Sequence, residues 1–232
     1  MENITDIINK MKEHIDLFHT EDKPSLIPFL KTYLFVTERV KKKKRVFDDF
    51  NTMQALDVHF ANKYFTPLQG YLTKTKKETP WKTYYTYCQK DKVPLVQVLL
   101  GINAHINADL STTLVDLNYQ NRKDFLRINK ILEDTIPQLI QYLVWEEHDL
   151  FGFGGLFFQN FFKYEFHQII IKWRNNAWDN AEVLRKDPSR RKELHQKTEK
   201  LGKELIELFS VSHYAKPMDF LIHLNSLELR LE

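Results

Sequence analysis

The chain has 232 residues, of which 43% are hydrophobic and 13% aromatic. That is enough apolar surface for a sizeable core and too much for a disordered chain, while six Gly and eight Pro argue against a loop-rich sandwich or a glycine-rich nucleotide fold. Thirty-four basic against 31 acidic residues leave a charge of +3, too small an excess to demand a polyanion, so no nucleic-acid partner is expected.

The hydrophobic pattern is helical nearly throughout. Residues 3–19 carry Ile4, Ile7, Ile8, Met11, Ile15 and Phe18 at i, i+3, i+4, i+7 spacing. A second helix opens at Pro24, and the cations of Lys41–Arg45 close it, where they favour the negative end of the helix dipole. A third runs from Asp48 to Tyr64 and continues past Pro67 toward Leu72. Residues 73–93 read as the one loop-rich interruption. Val93–Thr113 is a long helix. Asp124–Leu143 is another, bent or restarting near Pro137. Glu165–Arg185 and Ser189–Phe209 follow, and residues 217–231 form a last amphipathic piece. No strand-type alternation bounded by turn residues occurs. The expected fold is therefore all-α, a single-domain multi-helix bundle over residues 1–232 around a buried central helix at about 93–113, with the C-terminal helices 189–231 packed on the rest.

That helix is central by its own geometry. At about 100° per residue, Leu95, Leu99, Ile102, Ile106 and Leu110 share one face and Gly101, Ala104 and Ala108 the other, so neighbours are expected on both sides. Its polar residues fall on the flanks as i, i+4 pairs, His105 with Asp109 and Asn103 with Asn107.

The start MENITDIINKMKEHIDLF lacks the basic beginning and apolar stretch of a signal peptide. No run reaches the ~18 apolar residues of a membrane span. A cytoplasmic location is expected. The apolar stretch Leu150–Phe162 (LFGFGGLFFQNFF) is too short to span and reads as a core corner, an interface patch or a lid. KKKKR, KTKK and RKDPSRRK read as solvated faces, and His148, His195, His213 and His223 have no sequence partner.

Three groups of residues are able to carry chemistry. In GINAHINADL (Gly101–Leu110), His105 and Asp109 can form a general base with its orienting carboxylate or hold a divalent metal such as zinc. Asn103 and Asn107 stand beside them as substrate-binding candidates. In LDVHFANKYF (Leu56–Phe65), Asp57 shares a face with Phe60 and Tyr64, so its carboxyl needs a partner or a raised pKa. In RNNAWDNAEVL (Arg174–Leu184), Arg174 can pair with Asp57 or Asp109 or grip an anionic substrate, with Trp178 beside it. The catalytic candidates are thus His105, Asp109, Asp57 and Arg174. Those for substrate are Asn103, Asn107, Trp178 and Tyr64. Each group also admits a purely structural role, as buried pairs that lock helix packing, and spacing alone leaves both open.

These segments, together with Tyr33–Glu38 (YLFVTE), Pro80-Trp81 and Asp124–Leu132 (DFLRINKIL), resemble the domain of unknown function 5995 family, found mainly in bacteria. The likeness covers about residues 33–185 and implies an all-α fold with no assured activity. Asn175 stands where that family often has an acid, and His59 where an apolar residue is usual. The run AHINADL is also similar to a stretch of zinc-dependent phospholipase C and the single-strand-specific zinc nucleases, which implies His105 and Asp109 as zinc ligands, although no second histidine follows Asp109 and no tryptophan begins the chain. The expected function is a hydrolase of an ester or phosphoester with a His/Asp centre, metal-assisted or not. The alternative is a helical module that binds an apolar, lipid-like ligand, a small molecule or a protein partner.

Overall fold

A computed structural model describes residues 2–75, 80–90, 93–146, 155–212, 223–224 and 226–231. Among them are eight helices: α1 (Ile4–Thr20), α2 (Ile27–Lys42), α3 (Phe50–Leu72), α4 (Lys82–Lys90), α5 (94–116), α6 (Arg122–Glu146), α7 (Gly155–Lys186) and α8 (Arg191–Ser212), with no strand among the described residues. The fold is all-α. None of the described helices is long and apolar enough to cross a membrane.

Local chemistry accounts for most boundaries. Asn3 accepts from the amides of Thr5 and Asp6 while Asp6 accepts from the amide of Asn3, a capping box that starts α1. The whole apolar stripe from Ile4 to Phe18 is buried. At Pro24 the chain makes a short 3-10 turn, Pro24–Leu26, and the helix proper begins at Ile27. Asp49 caps α3 through the amide of Thr52. Helices α3 and α6 run through Pro67 and Pro137 without a break.

The expected loop at 73–93 contains helix α4. Its buried residues are Tyr84, Tyr85, Tyr87 and Cys88, and tyrosine in a stretch otherwise Lys, Thr and Gln gives no apolar signal. The start of the 150–162 stretch, through Gly154, and much of 217–231 lie outside the described residues. Of the latter, 227–231 is not helical. It is tied to α7 instead: Asn180 accepts from the amide of Leu231 at 2.7 Å and donates to the carbonyl of Leu229 at 3.2 Å.

Helix α5 is the buried central element. It is α-helical over Pro94–Ile102, π-helical over Asn103–Leu110 and α-helical again over Ser111–Asp116. The π segment packs against α3, α7 and α8. At Gly101, α2 approaches so closely that an added Cβ would lie 2.3 Å from the Phe29 ring. Arg185 of α7 donates to the carbonyls of Leu114 and Tyr119, satisfying acceptors at the other end of α5.

Asp124, in the DFLRINKIL segment, joins α6 to the start of α3. It is fully buried and accepts from the amides of Asp48 and Asp49, both at 2.9 Å, from Asn121 at 2.8 Å and from Arg127. Burial alone would raise its pKa, but the two amides and the guanidinium outweigh it and hold the carboxyl below its ordinary value. A depressed carboxylate contributes stability that is present above its unfolded pKa and lost as pH falls through its folded one. Asp124→Ala is therefore expected to cost on the order of 3 kcal/mol at pH 7, less in acid, as read by urea melts at pH 7 and pH 3.

Candidate active site

The π-helical segment sets the site. With hydrogen bonds from i to i+5, a π turn holds more than four residues, so positions four apart lie nearly above one another. Asn103 and Asn107 form one such stack, at 2.9 Å, and Asn103 also donates to the carbonyl of Thr198 on α8. Both are buried and turned to that helix. His105 and Asp109 form the other stack, with Nδ1 and Oδ2 3.1 Å apart.

His105 sits in an aromatic cage. Phe60 lies flat on its ring, 3.6 Å between centroids at 7°, and Tyr33 meets it edge-on at 4.5 Å. Phe29, Trp81 and Tyr64 complete the wall at 5.9, 5.9 and 6.4 Å. Burial pushes the imidazole well below its ordinary pKa, so it is neutral. Its Nε2 is sealed and has no partner among the described residues.

Asp109 is the end of the pair that meets solvent. The indole Nε1 of Trp81 donates to its Oδ2 at 2.9 Å, the same oxygen that faces His105. Burial drives this carboxyl well above its ordinary pKa, and the Trp81 bond and the charge of Lys63 offset that only in part. With His105 protonated on Nδ1, Oδ2 takes two N–H bonds and the acid proton falls to Oδ1, which receives no hydrogen bond from the described residues. Asp109 lines the floor of a cleft of about 1250 Å³, whereas His105 does not line it. The imidazole expected to face substrate thus stands behind the carboxyl.

Helices α1, α3, α4, α5 and α8 bound this cleft. Asp116, two turns beyond Asp109 on α5, holds three groups from other helices: Lys63 at 2.6 Å, His59 at 3.5 Å and Arg191. His195, one turn after Arg191 on α8, is half-buried in the same wall. Burial, then the charges of Lys63 and Arg191, lower its pKa and keep it neutral. On the apolar side, Tyr71 stacks on Tyr85 at 4.4 Å and 7°, next to Trp81.

Of the remaining candidates, Tyr64 belongs to the wall around His105, while Arg174, Trp178 and Asp57 do not line the cleft. Arg174 is buried, donates to Asn129 at 2.8 Å and to the carbonyl of Phe125 at 3.1 Å, and lies over the Phe125 ring. Burial lowers its pKa to about 10, against the pull of Asp57. Trp178 packs on Phe125 and Tyr119. Tyr64 is fully buried, and its hydroxyl has no partner among the described residues. Asp57 has one oxygen sealed without a partner, and burial pushes its pKa up to about 7, the Arg174 charge offsetting part of the rise. Tyr33 joins the two groups: burial, then the carboxyls of Asp57 and Asp109, raise its phenol.

A carboxyl whose folded pKa is raised contributes stability below its unfolded pKa that is lost as pH rises through the folded one. Asp57→Asn is therefore expected to flatten the decline in stability between about pH 4 and 7, and to gain most over wild type at pH 8. Urea melts at pH 4, 6 and 8 check this.

Among the described residues a metal bound by His105 and Asp109 would find no third protein ligand, because no group of three or more His, Cys, Asp or Glu suited to a metal occurs there. The pair's two polar ends are also bonded to each other.

What the sequence reading missed are the residues that make the cleft: Lys63, Asp116, Arg191, His195 and the platform of α4. They come from four helices, and no local spacing relates them. Trp81 stood in the resemblance without a role.

The architecture is that of an all-α protein with a carboxylic acid on the floor of a cationic cleft. The chain matches the family of unknown function DUF5995 over residues 4–208, and it belongs to that family. The match is wider than the 33–185 expected, taking in α1 and most of α8. No curated protein and no solved structure matches the chain.

Proposed function

We propose that this protein is a hydrolase of an ester or phosphoester, with Asp109 as general acid, His195 as general base and His105 as the positioning residue behind Asp109. The observation that carries the reading is the arrangement of Asp109. One oxygen is fixed by Trp81 and His105 and the other is left toward a large cleft. Burial shifts the Asp109 carboxyl toward its protonated form and the His195 imidazole toward its neutral form, so one cleft holds a proton donor and a proton acceptor. A water that gives its proton to His195 attacks the carbonyl or phosphoryl centre. The bond to the leaving oxygen breaks with its electron pair, and that oxygen takes the proton of Asp109. Proton exchange with solvent restores both groups.

The test is turnover of nitrophenyl carboxylic esters and phosphate mono- and diesters by wild type and Asp109→Asn. Turnover by wild type that Asp109→Asn lacks is the expected result. No turnover on any of them overturns the reading. The second reading, a module for an apolar ligand, is favoured by the Tyr71, Tyr85 and Trp81 wall. A lipid seen by native mass spectrometry of catalytically silent protein would select it.

A further inference from the structure

The cleft carries more positive charge than its own ion pairs consume. Among the described lining residues, five Lys or Arg side chains face two carboxyls, and one of these, Asp109, is the floor acid. Asp116 is thus the one carboxylate set against the cations of its corner. It binds Lys63 through Oδ2 and Arg191 through Oδ1. An ammonium has three N–H donors and a guanidinium five, and each of these groups gives one to Asp116. His195 stands within the field of both. Several donors and an uncompensated charge thus converge in one corner, on the wall that rises from Asp109. Charge-assisted donors of this kind, a guanidinium fork beside an ammonium point charge, match the three terminal oxygens of a phosphate group better than the two of a carboxylate.

We infer that Lys63 and Arg191, held apart on the two oxygens of Asp116, form a subsite for the dianionic group of a phosphate monoester. The inference rests on the hydrolase reading for its substrate but not for its binding. A phosphate seated there shares its cleft with Asp109. The organic part then runs along the Trp81 and Tyr85 side, which suits an aromatic or other apolar alcohol.

Binding of inorganic phosphate, sulfate, acetate and phenyl phosphate to the full chain is measured by calorimetry at fixed ionic strength. Phosphate is expected to bind more tightly than acetate, and phenyl phosphate more tightly than phosphate. Lys63→Gln and Arg191→Gln should each weaken phosphate by about tenfold, the worth of a charge-assisted bond, while Lys130→Gln at an exposed position of α6 leaves it unchanged. Asp116→Asn frees both cations and should bind phosphate more tightly than wild type, a gain that loss of fold cannot imitate. Equal binding by wild type and the Lys63 and Arg191 variants, or no gain in Asp116→Asn, overturns the subsite. Binding and turnover by wild type separate the two claims: phosphate bound without turnover retires the hydrolase and keeps the subsite. Turnover with no phosphate preference does the reverse.

Discussion

Asp109→Asn is expected to lower the hydrolytic rate by ~10²–10⁴-fold while the protein stays folded. Asparagine keeps an oxygen for the indole of Trp81 and for His105 Nδ1, so the buried bonds at 2.9 and 3.1 Å retain their acceptor. What it lacks is a transferable proton on the side of the cleft. The pH profile gives the sharper readout. On the proposed mechanism activity requires Asp109 protonated and His195 neutral, so the rate should rise with pH as His195 loses its proton and fall as Asp109 loses its own. His195→Ala should remove the acid limb and Asp109→Asn the alkaline one. A profile whose alkaline limb survives in Asp109→Asn would assign the acid elsewhere. His105→Ala, by contrast, is expected to shift the alkaline limb rather than delete it, because His105 acts through Asp109 and does not line the cleft.

Gly101→Ala is expected to cost about 1–3 kcal/mol although it adds one methyl group to a helix interior, where alanine is otherwise favoured. The new Cβ would lie 2.3 Å from Cγ and Cδ2 of Phe29 and 2.9 Å from its Cβ. Phe29 has little room to retreat, being 2% exposed and packed edge-on against Tyr64, Trp81, Tyr84 and His105. Urea melts of Gly101→Ala, Phe29→Ala and the double variant check the contact. Alanine at 29 removes Cγ and Cδ2, the two atoms nearest the new methyl, so the double variant should be more stable than the two single losses added together. Strict additivity would mean that helix α2 shifts as a body instead. Because Phe29 also walls the imidazole, Gly101→Ala should lower hydrolysis as well as stability.

The helices were legible where burial falls on aliphatic residues. The stripe from Ile4 to Phe18 gave the right face, and the central helix is buried all round over Leu95–Ile102 as apolar residues on both sides required, while Ile106 of its stripe is only half-buried. Helix α4 was illegible because its buried face is tyrosine, which pattern reading counts as half polar. The helix continues past Pro67 as expected, whereas the bend or restart expected near Pro137 does not occur, because α6 runs through it. The C-terminal strap at 227–231 depends on Asn180, whose partners lie about fifty residues away.

The candidate site was legible in part and in reverse. His105 and Asp109 stand out as an i, i+4 pair in a helix with apolar faces on both sides, and the structure keeps them together. Spacing cannot tell which member of such a pair faces solvent. That is decided by Phe60 and Tyr33, which close over the imidazole, and by the cleft, which opens at the carboxyl. Arg174 read as a partner for Asp57 or Asp109 or as a grip for an anion; in the structure it lies in the field of Asp57, and its N–H groups go to Asn129 and a carbonyl within the core.

By itself the sequence determined that this is a helical protein with one imidazole and one carboxyl held in its middle, because periodicity is a property of neighbours along the chain. Tertiary structure alone decided that α3, α5 and α8 bring Lys63, Asp116, Arg191 and His195 into one cationic wall. It also decided that the acid beneath that wall is Asp109. Convergence of charges from distant segments, and the burial that shifts their protonation, exist only once the helices are packed.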